Sequence, residues 1–157
     1  STLFPYTTLF RSSYQAYYNQ VGAEMKSILV LSAYLHDMGK GPKSKWKDGV
    51  MKGVYPDHPA DAIPMLERIL TEEVSILSEE DIRLICMLVV YHDIVGDCLE
   101  NGREKEQIAR IITNEDDFEM LYTIGLADVK TIQQLWAVNM IARKKQLCKE
   151  VMEIKEK

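Results

Sequence analysis

Three histidines are all the chain has, and each stands where its imidazole could meet another polar group. His36 and Asp37 are adjacent in LSAYLHDMGKG, His58 lies in DHPAD, and His92 lies in VVYHD. Asp128, in GLADVKT, is a late carboxylate inside an otherwise apolar pattern. Imidazole and carboxylate together suit Mn, Fe, Zn, Co or Ni, and Mg where carboxylates dominate. Each residue also has a plainer reading when taken alone. His92 could be a satisfied core histidine, Asp128 a cap or a paired structural aspartate, and the doublet an ordinary polar helix end. The elements that carry these residues decide between the readings.

Val21, Met25, Ile28 and Leu35 recur at helical spacing, which predicts a helix over 21–36 ending at the doublet. Gly39 permits a turn there, so neighbouring ligands at a helix end could reach one ion. The Gly-, Pro- and Lys-rich stretch 39–59 predicts a long loop. Pro59 suits a first helical turn, Pro64 falls early enough to be tolerated, and Ile63, Leu66 and Leu70 form a stripe.

Ser78 reads as an N-cap, with Glu79, Glu80 and Asp81 beside the positive end of the helix dipole. Ile82, Ile85 and Val89 then lead at helical spacing to His92, which should point where the core points. GDCLENG reads as a turn or loop, 104–112 as a short helix, and Asn114 as the cap of the next helix. The helical pattern continues from Lys130 towards Glu156. Leu121, Ile124, Ile132 and Leu135 share a stripe with Asp128, which predicts a buried carboxylate. Such a charge needs a cation (Lys40 or Lys130), hydrogen-bond donors or a metal ion. Alternating strand patterns are absent, so the expected fold class is all-α.

The 157 residues suggest a single domain with a real core. A composition of 46% hydrophobic and 27% charged residues, with a net charge of -5, gives no sign of nucleic acid or an anionic membrane as partner. Charge is locally reversed: Lys40, Lys43, Lys45, Lys47 and Lys52 face only Asp48. That run is either a solvated loop or a basic rim that attracts an anionic substrate. Cys86, Cys98 and Cys148 have no CxxC spacing, which argues against a disulfide framework and fits a reducing cytosol. No apolar run approaches the ~20 residues of a membrane span, and no signal peptide is evident. The expected location is cytoplasmic.

The opening STLFPYTTLFRS differs from everything after it. Thr2 to Ser12 resembles the conceptual translation of a DNA-sequencing adapter. The expectation is a non-native segment over 1–12 fused to a truncated protein. A genuine N-terminal tail is the alternative.

From Ser13 onward, the doublet followed by Gly39-Lys40, the two later histidines and the late Asp128 resemble the HD superfamily of metal-dependent phosphohydrolases. HDMGKG, SEEDIRLICMLVVYH and LADVKTIQQLW look most like the HD region of bacterial bifunctional uridylyltransferase/uridylyl-removing enzymes. The resemblance implies an HD-domain helical bundle over 13–157, with a metal site between helices and one or two divalent ions. It assigns one ion to His36, Asp37 and Asp128. A second falls to His58 and His92, with Asp37 bridging. It makes Asp37 and Lys40 the catalytic residues, Lys40 offsetting phosphate charge, and leaves Lys40, Lys130 and Arg103 as substrate contacts. Asp93 could orient water or a ligand, or be a surface residue at a helix C-terminus.

The implied substrate is a small anionic phosphate ester, with nucleotides the leading class. The family's first histidine is absent: upstream of His36 only Tyr14, Gln15, Tyr17, Tyr18 and Asn19 are polar candidates. That fits a lost first helix, implies an uncovered apolar surface, and leaves the activity of this chain open. Two rival readings stand beside the enzyme: a non-catalytic HD-like module that senses a ligand or transmits a signal, and a purely structural helical domain. Oligomeric state is open.

Overall fold

Helices account for the regular structure of the computed structural model, which describes residues 22–40, 61–74, 76–100 and 105–157, and no strand occurs among them. The fold class is all-α. No helix among the described residues is long and apolar enough to cross a membrane. The chain divides into two compact units, one of residues 27–91, the other of 92–157 with the described residues up to Lys26.

In the 27–91 unit, α1 (Ala23–Leu35, of which Ser27 onward belongs to this unit) buries Ile28, Leu29 and Leu35 and leaves Val30 and Tyr34 exposed. A 3-10 turn, Met38–Lys40, follows the doublet. Helix α2 (Ile63–Arg68) runs into a π-helical turn, Ile69–Glu73, closed by a bond from the Val74 N–H to the Ile69 carbonyl. The Thr71 hydroxyl donates to the Glu67 carbonyl (2.6 Å), a local competitor for the helical ladder at that point. The buried seam of α2 is Ala62, Leu66 and Leu70, spaced by four. That corrects the expected stripe: Ile63 lies one residue off the seam, about 100° round the helix, and is exposed.

Helix α3 (Glu79–Val90) packs on α2. It starts with a reciprocal capping box. The Asp81 N–H donates to Ser78 Oγ (3.1 Å) and the Ser78 N–H donates to Asp81 Oδ2 (2.9 Å). Ile85, Leu88 and Val89 are fully buried, and Ile82 is half-buried.

The other unit contains α4 (Ile94–Glu100), α5 (Lys105–Ile111), α6 (Glu115–Ile132) and α7 (Gln134–Lys155). Helix α7 packs against the other three, and α4 against α5 and α6. The core is Ile94, Val95, Ile108, Ile112, Phe118, Leu121, Ile124, Met140 and Val151. Polar ties seat α7: Asn139 Nδ2 donates to Glu100 Oε1 (2.6 Å), Arg143 Nη1 to the Leu99 carbonyl (3.1 Å), and Lys105 pairs with Glu150. The Lys105 contact holds the Glu150 carboxyl below its usual range. Asn114 caps α6, its Oδ1 accepting from the Asp117 N–H (2.9 Å), while buried Asp117 accepts from the Thr113 N–H (2.7 Å).

Two expectations change here. The part of GDCLENG that is described, 96–100, expected as a turn or loop, lies in helix α4. Burial of Ile94, Val95 and Leu99 outweighs the helix cost of Gly96, and Gly96 is needed for fit: a Cβ there would sit 3.3 Å from Val129 Cγ2. The helical pattern expected to continue from Lys130 towards Glu156 does so with a break at Gln133, which is extended (φ −152°, ψ 114°). The break resets the helical phase, so Leu135 is 75% exposed rather than aligned with Asp128.

Candidate functional site

The doublet is built by the end of α1. Beyond Leu35 the last-turn carbonyls of the helix lack intrahelical donors. His36 folds back and its Nδ1 lies 2.7 Å from the Ala33 carbonyl oxygen. A carbonyl can only accept, so Nδ1 carries a proton, and in the neutral ring the lone pair belongs to Nε2. This is the arrangement by which a backbone carbonyl fixes the tautomer of a ligating histidine. Nε2 lies 3.7 Å from Asp37 Oδ2. Nitrogen and oxygen ligands bonded to one ion at roughly 2.0–2.2 Å stand about 3–4 Å apart, so the pair has the donor chemistry and spacing to share an ion. The His36 side chain is 16% exposed and that of Asp37 41%, so the pair remains reachable from solvent.

His92 lies in the turn between α3 and α4 and is 1% exposed. Its backbone abuts α6 closely: a Cβ on Gly125 would come 2.8 Å from the His92 carbonyl oxygen. Gly125 and Asp128 are three residues apart on α6 and so share a face. The turn bearing His92 therefore meets the face of the helix that carries Asp128, both within the 92–157 unit.

Asp128 is half-buried, less than the buried carboxylate its stripe predicts. Its stripe neighbours Leu121 and Ile124 are fully buried, but the break at Gln133 ends the stripe one turn later. Asp93 is not at a helix C-terminus. It is half-buried ahead of α4, and its carbonyl accepts the first bond of that helix, from the Asp97 N–H (2.9 Å). Lys130 is half-buried in the last turn of α6. The backbone of Lys40 closes the 3-10 turn. His58, Arg103 and the side chain of Lys40 lie outside the described residues, as does most of the lysine-rich loop.

The doublet thus belongs to one unit, and His92 and Asp128 to the other. Among the described residues, no three His, Cys, Asp or Glu side chains are grouped as a metal ion would require. Two residues passed over in the sequence prove structurally telling. Ser32, one turn before His36, is fully buried, and its Oγ has no hydrogen-bond partner among the described residues. Gly125 gives the His92 turn its close seat. The signals were a serine in register with the buried face of α1 and a glycine inside an apolar helix.

The three cysteines are free thiols, each pushed above its ordinary pKa chiefly by burial, which leaves little nucleophilic thiolate at neutral pH. Comparison with known protein families, with curated proteins and with solved structures returns no match for this chain.

Proposed function

We propose that the chain is an HD-type helical bundle that acts as a metal-dependent phosphohydrolase on a nucleotide or similar small phosphate ester. The observation that carries this reading is the His36–Asp37 pair. The Ala33 carbonyl fixes the imidazole tautomer, and Nε2 and Oδ2 stand 3.7 Å apart at a solvent-reachable helix end. The order of motifs along the chain supplies the rest of the proposed ligand set, with Asp128 assigned to the same ion as the doublet and His58 and His92 to a second ion.

A divalent ion, when bound, supplies the Lewis-acid charge that makes water a nucleophile at neutral pH and offsets charge on a phosphoryl group. The protein's own part is positional. His36 is held by its helix, Asp37 is its neighbour by covalent linkage, and His92 is held by the packing of its turn on Gly125. Lys40, Lys130 and Arg103 are the cations proposed to meet phosphate oxygens, and the lysine-rich loop to draw the anion in. Three free thiols accord with a reducing cytoplasm as the proposed location.

The test is calorimetric titration of the metal-stripped protein with Mn²⁺, followed by assay on a nucleotide series and on bis(p-nitrophenyl) phosphate. Binding that falls at least tenfold in both His36→Ala and Asp37→Asn, together with turnover of a phosphate ester, is expected. Metal binding without turnover would favour a ligand-sensing module. The absence of metal binding would sink the reading.

A further inference from the structure

Helix α7 carries two seams spaced by three and four residues, and its own unit covers only one. The inner seam is Ala137, Met140, Leu147 and Val151, all buried. Lys144 shares its register, pairing with Glu119 and lying 4.7 Å over the Tyr122 ring. The outer seam is one residue on: Val138, Ile141, Lys145, Cys148 and Met152. Val138 is 63% and Ile141 53% exposed. Leu135 extends the apolar strip at its N-terminal end. A strip of this kind on a helix already packed along its other side marks a surface for association.

The strip continues into a groove of about 890 Å³ whose facing wall comes from Glu115 and Glu119 of α6. Two turns of a helix with its side chains, ~10 Å across and ~11 Å long, have roughly that volume.

Charge selects the occupant. Lys144 is committed to Glu119, and Lys149 lies 3.7 Å from Glu153. Lys145, between Ile141 and Cys148 on the outer seam, makes no ion pair among the described residues. A covering helix would desolvate its ammonium, which is unfavourable unless a carboxylate meets it. A second copy of α7 laid along the whole seam, parallel or antiparallel, sets Lys145 against Lys145. An anionic bilayer would set its whole negative surface against Glu115, Glu119, Glu153 and Glu156 around the same groove, whereas a helix can set one carboxylate at Lys145 and basic residues towards those glutamates. We propose that this face of α7 docks an amphipathic helix of a partner protein that places an Asp or Glu opposite Lys145.

The proposal is independent of the metal site and is tested on the full chain. The probe is a fluorescein-labelled, end-capped ~14-residue helical peptide. It carries Leu at the three-four seam and one Glu at the seam centre, and binding is read by fluorescence anisotropy. Saturable binding is expected. Lys145→Glu and Ile141→Asp should each weaken it at least about tenfold. A peptide with Lys in place of the central Glu should recover binding to Lys145→Glu. Both positions are exposed, so circular dichroism should be unchanged, and Val138→Asp repeats the test at a third site. No binding, or binding indifferent to Lys145→Glu and to the peptide charge, overturns the proposal. So does a sedimenting dimer of the chain that Ile141→Asp dissociates, or co-sedimentation with phosphatidylserine vesicles that Lys145→Glu abolishes.

Discussion

His36 and His92 each follow an apolar helical stripe, each precedes an aspartate, and the structure holds them by different means. His36 is held locally, by a bond from its own ring to a carbonyl three residues back, on a side chain that solvent still reaches. His92 is held by tertiary packing: it is buried, and its backbone is seated on a glycine 33 positions later in the chain, at Gly125. A locally held group can be removed with little effect on the fold. A tertiary one takes the surrounding core with it. Stability and metal affinity should therefore separate at His36 and fall together at His92.

The largest effect is expected from His92→Ala. It empties a fully buried site, at a cost of roughly 3 kcal/mol on the scale of large-to-small core changes. Chemical denaturation should show the loss as a lower midpoint with an unchanged slope. Gly125→Ala comes next. The added Cβ meets a backbone oxygen at 2.8 Å, and backbone yields less readily than the end of a side chain. An overpacking cost of about 1–3 kcal/mol follows. Gly96→Ala meets side-chain atoms, Val129 Cγ2 at 3.3 Å and Met140 Sδ at 3.9 Å, and should cost less than Gly125→Ala. Equal melting temperatures for the two alanine variants would show that the seat of His92 is not tight. His36→Ala should cost about 1 kcal/mol, the worth of one hydrogen bond at a helix end, while removing most of the Mn²⁺ affinity.

A pH scan isolates the second unit. Burial, then the charge of Glu119, pushes the Tyr122 phenol up to about 12 from its ordinary 10. The folded state therefore keeps the proton longer than the unfolded chain does. That contribution is complete below pH 10 and is lost as pH rises from 10 through 12. The melting temperature of Tyr122→Phe should decline less across that window than that of the parent protein. Parallel curves would show that the phenol does not titrate against the core.

The legible parts of the fold were those governed by local chemistry. Ser78 and Asn114 announce their helices because a cap needs only a side chain and an N–H three residues away. The burial of His92 was legible from Ile85 and Val89 because helical periodicity is a local property. Helix α4 was not: its glycine and acidic residues argue for a loop, and only the burial of Val95 and the close fit of Gly96 under Val129 reverse that. The break at Gln133 was hidden for a similar reason. No proline or glycine marks it, so Leu135 and Asp128 looked aligned when they are not. Of the candidate site, the helix-end position of the doublet could be anticipated. The Ala33 contact that sets the tautomer could not, because it depends on where α1 ends to within one residue.

The smallest effect sharpens the comparison most closely, because it tests the local side alone. Ser32 is fully buried one turn before His36, and its hydroxyl has no partner among the described residues. A buried hydroxyl without a bond carries a desolvation cost that alanine does not. Alanine is also the better helix former and is only one atom smaller, so the cavity it leaves is slight. Ser32→Ala should therefore be neutral or stabilising, by up to about 1 kcal/mol in thermal or urea unfolding. It should leave the Mn²⁺ affinity of the doublet intact, since the Ala33 carbonyl and not Ser32 holds the imidazole. A loss of stability would mean that the hydroxyl is bonded in solution. A loss of metal affinity with stability unchanged would mean that the hold on His36 extends one turn further into α1 than its single carbonyl contact.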